Sequence, residues 1–455
     1  MYCLLRPCLQ RCLFILKVKP RYVLLCFGAI VLLDFFGAFT HLFEITYDEN
    51  FVYPYEGNIQ ELADALRHNE KPNIEPINEY KYPFLLHNPQ KCTEAGYSTF
   101  HVVYVVKTAL EHFERRAAIR KTWGYEKRFF DVPLRTIFLV GTHPDDEELQ
   151  AKLKIEATKY KDIVQADFID SYYNNTIKTM MGFKWVVKYC SNSKFYMFCD
   201  DDMYISVKNA LRFVRNPAKY PGYFKEPKKL AAHKREISSA DLIAFQRDIG
   251  NFDNASGRRN ATIDKRSSVA SFIIDETADN NNSRSNAYKG QDKQVNENFG
   301  VESKQLLGSN TSVLSRAKRQ LFDFELPDDV RLFSGFVFVS SPHRHKSSKW
   351  YVSLKEYPYH LWPPYVTAGA YVLSKEALLD MYYTSFYTKH FRFDDIFLGL
   401  VAKKAEIEPF HCEDFHFYKK EYTKYNYKYV IASHGYGDPN ELLQVWNEQK
   451  ALGNA

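Results

Sequence analysis

The sequence lacks a dominant charge: 61 lysines and arginines stand against 55 aspartates and glutamates in 455 residues, a net charge of +6. The basic residues gather only in short local groups, so no nucleic-acid partner is expected. A second long hydrophobic run is also missing, which excludes a multi-span membrane protein. With 45% apolar and 16% aromatic residues, the chain is neither a collagen-like fibre nor disordered throughout. Its length would fill about three ordinary domains, or one large α/β enzyme domain behind a membrane stem.

The single apolar run is YVLLCFGAIVLLDFFGAF, Tyr22 to Phe39, eighteen residues with one charge, Asp34. As a helix it would reach roughly 27 Å. Arg6, Arg11, Lys17, Lys19 and Arg21 precede it without an acid, and Glu44, Asp48 and Glu49 follow it. The positive-inside rule then predicts a cytosolic tail over 1–21, a transmembrane signal anchor over 22–39 and the remainder in a lumen. A long basic lead and the lack of a small-x-small site after the run argue against a cleaved signal peptide. Cys3, Cys8, Cys12 and Cys26 would be cytosolic or intramembrane, and Cys92, Cys190, Cys199 and Cys412 lumenal. Four lumenal cysteines leave three full pairings open, and Cys199, in an apolar run beside acids, reads as readily as a buried free thiol. Glycosylation sequons at Asn174, Asn254, Asn260, Asn281 and Asn310 suit the same compartment.

Residues 40–98 have no sustained periodicity and read as a stem. From Thr99 strand-like and helix-like segments alternate: STFHVVYVVKT, a helix from a Thr108/Glu111 capping box, LRTIFLVG, EELQAKLKIEATKY, a short strand near Ile163, a helix from about Thr176 and the strand KFYMFC. That rhythm predicts a mostly parallel sheet with helices on both faces, over 99–448. It is interrupted by 224–326, a low-complexity insertion rich in Asn, Ser, Asp, Lys and Arg that is expected to be disordered. Within it, Arg316 to Arg319 (RAKR) reads as a processing site or a chance basic cluster.

Asp200, Asp201 and Asp202 follow the apolar strand KFYMFC directly. Carboxylates at the carboxyl end of a strand in an open α/β sheet stand where ligands bind. Crowded carboxylates repel one another unless a cation neutralises them, and a hard divalent ion carrying a diphosphate suits them. The competing reading is a solvated acidic turn. A second pair, Asp394 and Asp395, opens a helix-like segment, where it either caps the helix or supplies a general base. His434 lies beside glycines after a short β-branched strand and is either structural or a third metal ligand. Trp350, Tyr351, Tyr357, Tyr359, Trp362, Tyr365 and Tyr371 cluster around Gly369. Such rings stack on sugar faces or fill a core.

Four segments together resemble the β1,3-glycosyltransferases of glycosyltransferase family thirty-one: RRAAIRKTWG (Arg115 to Gly124), FYMFCDDDMYISVKN (Phe195 to Asn209), WPPYVTAGAYVLS (Trp362 to Ser374) and FRFDDIFLG (Phe391 to Gly399). Their order and spacing agree over 99–222 and 328–448, and the C-terminal block is most similar to the brainiac-type β1,3-N-acetylglucosaminyltransferases. The resemblance implies a glycosyltransferase-A fold, a UDP-sugar donor, Mn²⁺ as cofactor, inversion at the anomeric carbon and a single-pass type II protein of the Golgi membrane. Carried onto this sequence, Asp202 and His434 would ligate Mn²⁺, and Asp200 and Asp201 would support the metal and the ribose. Asp395 would be the catalytic base, and Arg116 and Arg120 would lie near the nucleotide. Trp350, Tyr351, Trp362, Gly369 and Asp394 are candidates for the donor or acceptor sugar. The implied reaction moves N-acetylglucosamine from UDP-N-acetylglucosamine to the 3-hydroxyl of a sugar, a β-mannose, on a glycosphingolipid. Relatives with the same motifs transfer galactose to a glycolipid or glycoprotein. A lumenal lectin with a degenerate site is the competing class, and the full set of carboxylates speaks against it.

Overall fold

A computed structural model describes residues 19–52, 59–93, 97–129, 132–222 and 326–455. Cys3, Cys8 and Cys12, the insertion up to residue 325, its four sequons and the RAKR group lie outside the described residues. Strands β1 (Phe84–Leu86), β2 (Phe100–Lys107), β3 (Leu134–Thr142), β4 (Ile163–Ile169), β5 (Ser193–Asp200) and β6 (Tyr204–Ile205) precede the insertion. After it come β7 (Phe333–Phe338), β8 (Tyr365–Ser374), β9 (Phe410–His411), β10 (Phe415–His416) and β11 (Ala432–Ser433). Helices are α1 (Pro20–Phe35), α2 (Gln60–Arg67), α3 (Phe113–Lys121), α4 (Glu147–Tyr160), α5 (Asn175–Tyr189), α6 (Val207–Arg215), α7 (Lys375–Ser385), α8 (Asp394–Lys404) and α9 (Pro439–Ala451).

The near-continuous apolar runs of β2 to β5 are those of strands covered on both faces. They pair in parallel at the centre of an eight-stranded sheet of order β1-β4-β3-β2-β5-β8-β7-β9. Antiparallel β1 joins one side, and β8 and β7 join the other. Successive residues of β2 point to opposite layers: Val102, Tyr104 and Val106 meet α3, α4, α6 and α9, whereas Val103 and Val105 meet α5, α7 and α8. This mixed α/β layout with a mostly parallel centre fits the expected glycosyltransferase-A arrangement. A small sheet of order β10-β11-β6 carries the segment before His434 back to the end of β5.

Three local expectations are revised. α3 starts at Phe113, because the Thr108 hydroxyl donates to Asp201 Oδ2 at 2.6 Å and so does not close a capping box with Glu111. α1 ends at Phe35 rather than at residue 39, since the chain turns out of the helix through Gly37 at φ +80°. No helix among the described residues is long and apolar enough to cross a membrane. The region expected as a stem makes domain contacts: Arg67 of α2 pairs with Asp380 of α7 at 2.7 Å, β1 joins the sheet and Cys92 is bonded to Cys190. Cys199 and Cys412 are buried free thiols.

The Cys92–Cys190 bridge spans 98 residues of sequence, and closing so long a loop removes much freedom from the unfolded chain. Replacing both cysteines by alanine is expected to cost about 2–4 kcal/mol. Urea unfolding of the full chain, with and without reductant, checks this; a reductant-insensitive wild-type midpoint contradicts it.

Candidate active site

The parallel pairing of β2 with β5 sets Lys107 beside Asp200 at the carboxyl ends of both strands. Lys107 is buried and uses all three ammonium donors: Asp394 Oδ2 at 2.8 Å, Asp200 Oδ1 at 3.1 Å and the Ala368 carbonyl at 3.2 Å. Burial alone would lower this lysine, but Asp200 and Asp394 override it and hold it well above its ordinary value. Thr179 of α5 donates a further hydrogen bond to Asp394 Oδ2 at 2.9 Å. One cation therefore joins the first acid of the triple to the first acid of the second pair.

The two acids at the start of α8 are driven apart. Burial works against Asp394, yet the Lys107 charge and the bonds from Lys107 and Thr179 keep it below the usual carboxylate range. Asp394 thus does not act as the helix cap; the capping position falls to Phe393. For Asp395, burial and then the neighbouring Asp394 charge raise the carboxyl to about 7. A stable anion beside an acid poised near neutrality is how one site obtains a base at working pH.

Members of the aspartate triple have different partners. Asp201 is turned into the protein, accepting from Thr108 at 2.6 Å and Arg115 at 2.9 Å and meeting His112 at 2.7 Å; against its burial, these groups hold it low. Asp202 lies 3.3 Å from His434 Nε2 through Oδ2, and its Oδ1 is buried with no hydrogen-bond partner. An orphaned carboxylate oxygen next to an imidazole fits a divalent cation. No cluster of three or more His, Cys, Asp or Glu arranged for a metal occurs among the described residues. Two protein ligands with the rest from phosphate oxygens and water is a common arrangement for hard ions in phosphate sites.

A cavity of about 500 Å³ is lined by Asp200 and His434, by Asp394 and Asp395, and by Trp350, Trp362 and Gly369. The site residues that line it are therefore Asp200, His434, Asp394, Asp395, Trp350, Trp362 and Gly369; Asp202 is not a lining residue and joins them through His434. Tyr351 is not a lining residue; its backbone carbonyl accepts from Arg392. Tyr357, Tyr359 and Tyr371 are core. Arg116 and Arg120 are also absent from the lining. Arg116 is fully buried and bonds Glu156 Oε2 at 2.7 Å and the Ala109 and Leu110 carbonyls. Arg120 makes a fork to both oxygens of Asp162, at 2.7 and 2.9 Å. Arg116 pins α3 to α4, Arg120 pins it to α4 and to the start of β4, and Arg115 is the arginine that reaches the triple. Sequence reasoning missed Lys107, Thr179, Arg115, Arg392 and Tyr172, whose hydroxyl accepts from Trp350 Nε1 at 3.2 Å. Lys107 gave a signal as a lone charge ending an apolar strand, and Arg115 and Arg392 stood inside two of the quoted segments.

The Galactosyltransferase family matches residues 114–231 and 323–413. Beta-1,3-galactosyltransferase brn of Drosophila melanogaster is 32% identical over 99% of this chain and 98% of its own length. Human beta-1,3-galactosyltransferase 1 is 24% identical over 83% of this chain and 81% of its own. Human lactosylceramide 1,3-N-acetyl-beta-D-glucosaminyltransferase is 27% identical over 80% and 69%. With near-complete coverage by one relative and the paired carboxylates gathered on one cavity, the chain belongs to the Galactosyltransferase family and is a β1,3-linking hexosyltransferase.

Proposed function

We propose that the chain is a Golgi membrane enzyme, anchored through the apolar run 22–39, that moves N-acetylglucosamine from UDP-N-acetylglucosamine to the 3-hydroxyl of a sugar, a β-mannose, on a glycosphingolipid, with Mn²⁺ as cofactor. One observation carries this reading: a single cavity is lined both by Asp200 and His434 and by Asp394 and Asp395. Asp202 and His434 would hold the divalent cation. When bound, such an ion supplies positive charge against the departing diphosphate. Lys107 keeps Asp394 ionised and so keeps Asp395 basic. Asp395 accepts the proton of the acceptor hydroxyl as that oxygen bonds to the anomeric carbon, while the bond from that carbon to the diphosphate oxygen breaks on the opposite face. An α-linked donor then gives a β product. Trp350 and Tyr172 line the cavity, where aromatic rings can pack against a sugar.

Galactose is the second reading, favoured by the name of the relative at 32% identity. The deciding experiment incubates the full chain with a panel of UDP-sugars and mannosyl-glucosyl lipid, with Mn²⁺ or with a chelator. Transfer from UDP-N-acetylglucosamine that stops on chelation is expected. Transfer from UDP-galactose alone replaces the donor, and UDP binding without any turnover replaces the enzyme by a lectin.

A further inference from the structure

The chain after α1 is clamped to the cavity wall. Lys346 pairs with Asp34 at 2.7 Å, its backbone N–H donates to the Phe35 carbonyl at 3.2 Å, and the His345 ring meets those of Phe35 and Phe36 at 5.3 and 4.7 Å. Gly37, at φ +80°, lies so near this loop that a Cβ would stand 2.6 Å from the Arg344 carbonyl oxygen. Glu44 then takes a buried ion pair with Arg344 Nε at 2.7 Å, and Arg344 spends its other donors on the Val352, Tyr357 and Tyr359 carbonyls. Ile45 exchanges backbone bonds with Pro358 at 2.9 Å and His360 at 3.1 Å. Residues 34–45 are thus fastened along 344–360, and this stretch, with His343 before it, supplies Trp350 and Val352 to the cavity lining.

Apolar exposure is concentrated on the same feature. Leu24, Leu25, Phe27 and Leu32 of α1 are each more than half exposed, and just beyond the helix Leu42 and Phe43 are 76% and 72% exposed. A helix that is apolar all round is stable only inside protein or lipid, and none of the described residues covers this one. Trp350 is the single tryptophan among the exposed large hydrophobic side chains, at 45%. Lys349 Nζ stands 4.4 Å over its ring, a pairing of aromatic and cation suited to a headgroup zone.

We infer that the end of α1, Leu42–Phe43 and the 343–350 loop form one ledge seated on the lipid leaflet, which fixes the cavity at the bilayer surface and selects acceptors whose sugar is borne by a lipid of that leaflet. This rests on the proposed anchored, glycolipid-directed transferase and adds the surface that meets the membrane. The clamp makes the geometry rigid: where α1 enters lipid, the Trp350 wall goes with it.

The test uses the full chain in phosphatidylcholine vesicles containing the acceptor glycolipid, against the same acceptor sugar free in solution. In a Leu42→Ser/Phe43→Ser variant, transfer to the lipid should fall about tenfold, as expected from losing one or two buried apolar contacts; in Lys346→Glu, which sets a like charge against Asp34 in the clamp, it should fall in the same direction. Transfer to the free sugar should stay unchanged. Rates to both acceptors that stay level, or that fall together, overturn the ledge; a joint fall that tracks protein concentration assigns the surface to a second copy of the chain. Quenching of tryptophan fluorescence by brominated lipid, lost in Trp350→Phe, reads the seating without turnover. If no acceptor is used but quenching occurs, the proposed reaction fails and the ledge stands. Absence of quenching sinks the ledge whatever the reaction.

Discussion

Asp395→Asn is expected to lower kcat by about 10²–10⁴-fold, the usual effect of losing a positioned general base. The replacement is isosteric, and an amide oxygen can still accept the Ile396 N–H that Asp395 Oδ1 accepts at 2.7 Å, so α8 keeps its start. What disappears is the proton acceptor. Donor binding should be unaffected, because Asp200, Asp202 and His434 are untouched, so the loss should fall on kcat and leave the donor KM unchanged. Burial and the Asp394 charge raise Asp395 to about 7, and only its ionised form can take a proton. Wild-type kcat/KM should therefore fall as pH drops through about 7, approaching tenfold per unit below it, and this limb should be missing from the residual activity of Asp395→Asn. A variant with full activity, or one that retains the acid limb, removes Asp395 from the role of base.

Legibility in the sequence followed the range of the interactions. β2 to β5 were visible because their side chains are buried on both faces, which writes an apolar run into contiguous residues. Asp200 to Asp202 were visible for the same reason, as charges ending such a run. The role of Arg116 was not, since a helical arginine facing a nucleotide and one facing an acid look identical until the packing element is known. Here that element is α4, which brings Glu156 from 40 residues away. The Thr108/Glu111 box failed because Asp201, 93 residues further on, offers the threonine hydroxyl a charged acceptor. Residues 40–98 show no sustained periodicity because their one repeating apolar face, Ile59 at the cap with Leu62 and Leu66 of α2, lasts only two turns, and ties such as Arg67 to Asp380 are long-range. Lys107 joins Asp394 across 287 residues, and only the folded sheet reveals that its charge is shared.

That shared charge carries the second large effect. Lys107→Met keeps much of the side-chain volume and removes the cation between Asp200 and Asp394. Breaking a buried pair by deleting one partner strands the other charge, at a cost of about 3–5 kcal/mol. Asp394 loses the Coulombic and hydrogen-bonding partner that holds it low, so burial would raise it, and its folded value would lie above the unfolded one of about 3.9. The folded variant then binds more protons than the unfolded chain at pH above that value, and its stability falls as pH rises. Wild type gains from the same carboxylate in that range, since a depressed acid stabilises above its unfolded value. The deficit of Lys107→Met should accordingly be present at pH 5 and larger at pH 8, read as the separation of the two urea midpoints at each pH. Activity should fall as well: Lys107 itself lowers Asp395, but the larger raising effect of a charged Asp394 is lost with it, and a base of lower pKa accepts a proton less readily. The acid limb of kcat/KM should shift below its wild-type position in whatever activity remains. A midpoint deficit equal at both pH values would mean that Lys107 contributes packing alone, and Asp395 would then owe its raised value to burial without the help of a charged Asp394.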